Sequence, residues 1–224
     1  MQPLDEWAAA RQATRAETAE ALMHIVGAVM ALHSAGLVHR GLRPGAALWQ
    51  ASQQKWVIVG YADAALNGAP GHCIWLLRAA VERSNDPDLA GQRMALDAQA
   101  SLAYEAPETV QARVEGRATV VADRTVDVWA LGVICYETLT QTQLFSPAAD
   151  VQEMAAAFAG HALPWENPTP NAAQLGKLGV MREGVLLMLD RDPERRPRLS
   201  VLFQIWRRLM LKAVVERRTG RLRA

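Results

Sequence analysis

The chain has 224 residues, half of them apolar, and its 24 Lys and Arg residues nearly balance its 23 Asp and Glu residues. This length can bury a substantial core in one large domain or two small ones. The near-neutral charge gives no overall case for binding nucleic acid or a membrane surface.

Targeting and redox signals are also absent from the sequence. The N-terminal stretch has no apolar signal core, and no apolar run approaches the roughly 20 residues needed to span a bilayer. Cys73 and Cys135 lie far apart and lack metal-ligand spacing. We therefore expect a soluble protein of the cytoplasm or another reducing intracellular compartment, without membrane contact.

The first predicted elements are a helix and a strand. Residues 18–36 read "TAEALMHIVGAVMALHSAG", with Gly36 placed to end the helix. Apolar side chains recur along one helical face at three- and four-residue spacing: Leu22, Ile25, Val26, Val29 and Leu32. The run "KWVIVGY" at 55–61 predicts a strand. Residues 66–100 mix Gly, Pro, Asn and Asp, which predicts a long loop with one helical turn or more.

The C-terminal two-thirds is predicted to be helical. Residues 125–139 are apolar nearly all round, which indicates a central buried helix. Residues 150–160 predict a surface helix, and the prolines and asparagines of 165–174 predict a loop. A short helix follows at 183–190, then an amphipathic helix at 200–218 with Ser200 as its N-cap. The fold class is therefore α+β and mainly α-helical, with about six helices against one or two strands.

Four short segments of the sequence are considered together because of their order along the chain. They are "HRGLRP" at 39–44, "VIVGYA" at 57–62, "SLAYEAPE" at 101–108, and "VDVWALGVICYETLT" at 126–140 followed by "LDRDPERRP" at 189–197. Each is a weak signal alone. As an ordered set spread over most of the chain, they resemble the C-terminal lobe of a Ser/Thr-type protein kinase.

The resemblance implies a domain organisation. Residues 1–214 would form a kinase-like C-terminal lobe, in which 63–103 is a long loop resembling an activation segment, and 215–224 would be a basic tail. The opening "MQPLDEW" resembles the segment just after the hinge between kinase lobes, and the chain has no Gly-x-Gly-x-x-Gly motif. We therefore expect no N-terminal lobe in this chain.

The resemblance also assigns structural roles. Glu108 of "Ala-Pro-Glu" is expected to pair with Arg196, and Asp127 to hydrogen-bond the backbone of the catalytic loop. His39 and Tyr61 match the lower two members of the hydrophobic spine. The same residues would serve as core and ion-pair residues in any helical domain. The residues expected to hold the fold are His39, Arg40, Tyr61, Glu108, Asp127 and Arg196.

The residues that a kinase uses for chemistry are replaced. Gly41 stands where the family has its catalytic Asp, and Arg43 stands in place of a phosphate-contacting Lys. Arginine keeps the charge of that lysine but not its shape. Ala46 and Gly60 replace the metal-binding Asn and Asp, and neither side chain carries the oxygen that Mg²⁺ requires.

Asp63 offers one alternative. A register slip of three residues could present it to a metal, but Ala64 and Ala65 would then fill the Phe and Gly positions of the family's tripeptide. We favour a solvated loop carboxylate for Asp63.

The leading hypothesis is a catalytically inactive kinase-like protein (a pseudokinase) that binds a protein partner as a scaffold or regulatory module, with no cofactor. Its expected surfaces are 150–160, 63–103 and the uncovered face towards the missing lobe, which could also mediate association. The alternative is an active Ser/Thr kinase that uses ATP and Mg²⁺, of which this chain is an N-terminally incomplete form. The basic residues from Arg191 onward are interpreted as lining the solvent-exposed face and the end of the last helix. Nucleic acid is therefore not an expected partner.

Overall fold

The computed structural model describes residues 1–72, 102–117, 119–145, 150–160, 163, 166 and 168–218. The helices within these ranges are α1 (Leu4–Arg11), α2 (Arg15–Ser34), α3 (Pro107–Val114), α4 (Thr125–Thr140), α5 (Val151–Gly160), α6 (Pro168–Lys177), α7 (Arg182–Met188) and α8 (Leu199–Arg218). The strands are β1 (Gln2–Pro3), β2 (Leu37–Val38), β3 (Ala47–Gln50), β4 (Lys55–Ile58), β5 (Ala65–Leu66), β6 (Pro70–His72) and β7 (Thr119–Val121).

The strands form three small antiparallel sheets. The largest has the order β1-β3-β4, and the other two are the pairs β2-β5 and β6-β7. In the β3-β4 hairpin, Trp49 stands opposite Trp56, and both contact Trp7 of α1, with ring centroids 6.2 and 5.2 Å away. This aromatic cluster packs α1 against the hairpin.

Helix α4 is the centre of the core. Val128, Trp129 and Leu131 are at most 1% exposed, and the helix is contacted by α2, α6 and α7. At Gly132 a Cβ atom would lie 2.9 Å from Leu189 Cγ, so only glycine permits this close packing. The predicted central buried helix and the mainly helical α+β fold class are both confirmed.

Helix α2 confirms the first predicted helix, although it begins three residues earlier. Thr14 and Glu17 form a reciprocal capping box, with the Glu17 amide donating to Thr14 Oγ1 at 3.3 Å. Leu22 and Val26 are fully buried on the predicted face. Past the helix end, Gly36 adopts the left-handed region at φ 77°, a backbone that glycine enters without a Cβ penalty.

Two predictions about the C-terminal part were wrong. The expected loop 165–174 contains most of helix α6, which begins at Pro168. Prolines are tolerated in a first helical turn because the N–H groups there have no intrahelical acceptor. Ser200 is not an N-cap but the second residue of α8. That helix ends at Arg218, as predicted, and a separate basic tail from residue 215 stays a prediction.

The region predicted as one long loop contains regular structure at its start. Strand β5 pairs with β2, and β6 pairs with β7. Residues 73–101, which include most of that segment and Cys73, lie outside the described residues. Helix α1 had no sequence prediction. Within the described residues, no helix is long and apolar enough to cross a membrane.

Candidate functional site

The "HRGLRP" loop (residues 39–44) is held by one buried carboxylate. Asp127, near the start of α4, is 1% exposed. Its Oδ2 accepts the backbone N–H of His39 and its Oδ1 accepts that of Arg40, both at 2.7 Å. A carboxylate that accepts two backbone N–H groups makes charge-assisted hydrogen bonds. Asp127 therefore makes the backbone contact that the sequence predicted for it.

His39 joins this loop to the turn after β4. Its Nε2 donates to the Val59 carbonyl at 3.0 Å, and its Nδ1 accepts the Gly41 amide at 3.3 Å. The two contacts require the hydrogen on Nε2. The imidazole also lies against Tyr61, with ring centroids 5.0 Å apart. His39 is 1% exposed, so it connects the two loops from a buried position.

The three positions where the resemblance places the family's reactive residues are connected to His39 or to its acceptor Val59. Gly41 donates to the His39 ring, the Ala46 carbonyl accepts the Val59 amide at 2.9 Å, and Gly60 follows Val59 at φ 85°. These contacts connect the two loops, but no side-chain oxygen or nitrogen comes from Gly41, Ala46 or Gly60. Mg²⁺ needs oxygen ligands in near-octahedral geometry. These three positions therefore supply no side-chain ligand for Mg²⁺.

Among the described residues, Arg40, Arg43 and Asp63 also belong to the two loops. Arg40 adopts a left-handed backbone at φ 66°, and its Nη1 lies 3.5 Å from the Asp63 carbonyl oxygen. Arg43 is half-buried at the end of the loop, where it keeps a positive charge. Among the described residues, no group of three or more His, Cys, Asp or Glu side chains could hold a metal ion.

Asp63 and Tyr61 differ from what the sequence suggested. Asp63 is partly buried in the turn Tyr61–Asp63 and is not a solvated loop carboxylate. Tyr61 contacts His39 as the spine predicts, yet it is 47% exposed. Its hydroxyl donates to the Ile58 carbonyl at 3.0 Å, a local bond that holds the ring near the surface. The apolar spine therefore ends in a half-exposed aromatic ring.

Glu108 and Arg196 form a bidentate ion pair. Arg196 Nη1 donates to Glu108 Oε1 at 2.7 Å, and Nη2 donates to Oε2 at 2.8 Å. The Arg196 side chain is fully buried whereas the Glu108 side chain is 28% exposed. The guanidinium also lies 5.1 Å from the Trp129 ring centroid. This pair ties α3 to the centre of the core.

Sequence reasoning missed two side-chain contacts near the cleft. His33 of α2 donates from Nε2 to Asp127 Oδ2 at 2.9 Å. Tyr104 donates to Glu137 Oε2 at 2.8 Å, while Glu137 Oε1 accepts the Leu144 amide at 2.9 Å. Burial raises the pKa of Glu137 and, more strongly, that of Tyr104. These pairs are separated by 94 and 33 residues, so no local pattern signals them.

Comparison with known proteins agrees with this geometry. The family model described as the protein kinase domain matches residues 2–205. A search of curated proteins found no match. Because the family match covers most of the sequence, and the anchored loop, the cleft and the buried ion pair fall inside it, the chain belongs to the protein kinase family.

Proposed function

We propose that this chain is a catalytically inactive kinase-family domain that acts as a protein-binding scaffold or regulatory module. One observation carries the proposal: the contacts that support the cleft are present, but its reactive positions carry no functional side chain. Asp127 holds the loop at 2.7 Å from two amides. The residues at the three reactive positions are Gly41, Ala46 and Gly60.

The missing groups are those on which phosphoryl transfer depends. The reaction requires a residue that orients the attacking hydroxyl and groups that neutralise the phosphate charge. Of the side chains that the family uses for this, Arg43 alone offers a charge at its matching position. One cation without a metal site would bind phosphate weakly at a half-open surface. A cleft that keeps its supporting contacts but lacks the side chains for phosphoryl transfer favours a role in binding.

Nucleotide binding is the first test of inactivity. We expect no rise in melting temperature when ATP and Mg²⁺ are added to residues 1–224, separately or together, and no labelling of a generic protein substrate. An active protein kinase domain run in parallel is the positive control. A Mg²⁺-dependent shift accompanied by substrate labelling would favour the alternative, an active Ser/Thr kinase.

The binding role has its own test on α5, one of the surfaces that the family resemblance suggests. Ala159 is exposed on this helix, so Ala159→Arg should add a bulky charge without changing the core. We expect at least a tenfold loss of the proteins captured by the wild-type chain, measured by quantitative mass spectrometry. Gln204→Arg, also at an exposed helical position, is the matched control and should retain them. If both variants capture these proteins equally, α5 is not part of the binding interface.

A further inference from the structure

Gly41 and Asp63 are neighbours across the cleft. A Cβ atom built on Gly41 would lie 3.3 Å from Asp63 Oδ2 and 3.9 Å from Asp63 Cγ. The carboxylate of Asp63 therefore borders the space that a side chain at position 41 would enter. Asp63 belongs to the turn after β4, whereas Gly41 belongs to the "HRGLRP" loop.

This contact is specific to Gly41 within the loop region. Gly45 lies four residues further on, and a Cβ there would meet nothing within 4 Å. Neither glycine has the positive φ that disfavours other residues. Backbone conformation thus permits a side chain at both positions, and the Asp63 carboxylate is what distinguishes them.

We infer that Asp63 supplies the carboxylate of this cleft from the opposite loop, and that positions 41 and 63 cannot both carry a carboxylate without loss of stability. In an aspartate the carboxyl carbon is bonded directly to Cβ. An aspartate at position 41 would therefore place a second negative group beside Asp63 Oδ2. Like charges at such a distance repel strongly when partly buried.

Two charged side chains of the described residues, Arg40 and Asp127, lie near this contact. Arg40 Nη1 approaches the backbone carbonyl oxygen of Asp63 at 3.5 Å, and the Asp127 carboxylate is engaged with the His39 and Arg40 amides. The inference stands whether or not the proposed inactivity is correct, because it concerns stability.

A double-mutant cycle tests the inference. Gly41→Asp should lower the melting temperature by roughly 3–8 °C. Gly41→Asn has the same shape without the charge and should lower it less. Gly45→Asp is the matched control, with an expected change below about 2 °C. In the Asp63→Asn background, Gly41→Asp should lose at least half of its effect.

Each outcome of the cycle either supports or contradicts the inference. If Gly41→Asp lowers the melting temperature equally in the wild-type and Asp63→Asn backgrounds, or by no more than Gly45→Asp does, the inference is wrong. If Gly41→Asp gives no soluble protein, recovery of soluble protein by the added Asp63→Asn substitution supports it, and failure to recover contradicts it. Nucleotide binding plays no part in these measurements, so failure of the proposed function would be seen separately.

Discussion

Replacing Arg196 with alanine is expected to lower the free energy of unfolding by about 3–5 kcal/mol. For a domain of this size, that loss corresponds to a drop in melting temperature of roughly 6–20 °C. The guanidinium is fully buried, and its removal leaves the Glu108 carboxylate without its bidentate partner. It also removes hydrogen bonds to the carbonyls of Asp190 and Thr125, at 2.8 and 3.0 Å.

The neighbouring Arg195 provides a matched control. Its side chain is 73% exposed and pairs with Asp190 at 3.4 Å. Exposed ion pairs contribute about 0–1 kcal/mol, so Arg195→Ala should shift the melting temperature by only a few degrees. Glu108→Ala should fall between the two, since that carboxylate is partly solvated and Arg196 keeps its bonds to backbone carbonyls. Thermal unfolding of the three variants is the measurement. If Arg196→Ala lowers the melting temperature no more than Arg195→Ala does, the pair does not support the fold.

Replacing Asp127 with alanine is the second large expected effect, about 3 kcal/mol or more, because three donors lose their acceptor. The carboxylate is buried and accepts hydrogen bonds from the His39 and Arg40 amides and from the His33 ring. Each buried donor left without an acceptor costs roughly 1–3 kcal/mol. Asp127→Asn should cost less than alanine, because one oxygen remains as an acceptor.

Hydrogen exchange distinguishes loss of the loop anchor from general loss of stability. In Asp127→Ala, the amides of His39 and Arg40 should exchange much faster than those in the middle of α2. His33→Ala removes one of the three donors but keeps both backbone bonds, so those two amides should stay protected. Equal protection of the loop amides in the two variants would contradict the anchoring role of Asp127.

The elements predicted well from sequence are those with a strong local signal. Helix α4 is apolar nearly all round, and α2 shows helical spacing at Leu22 and Val26, so burial follows from periodicity. The loop around His39 and the "Ala-Pro-Glu" segment were located through the family resemblance. Their contacts, such as Glu108 with Arg196, span 88 residues. Periodicity alone could not have paired them.

The predictions that failed rested on single-residue signals that are compatible with more than one local structure. The prolines of 165–174 suggested a loop, but Pro168 starts a helix, because a first turn does not need the missing N–H. Ser200 suggested a cap, yet α8 begins one residue earlier at Leu199, which is 2% exposed. Capping propensity is a small term beside the burial of a leucine.

The assignment of Gly41, Ala46 and Gly60 to the family's reactive positions rests on the resemblance and stays a prediction. The mainly helical fold and the order of the motifs could be read from the chain without coordinates. These are properties of residue identity and local spacing, which need no knowledge of distant contacts. Only the folded arrangement shows that His33 joins Asp127, that Tyr61 is half-exposed, and that Asp63 lies beside Gly41. Each depends on where two remote segments meet in space, and that is set by packing of the whole core around α4.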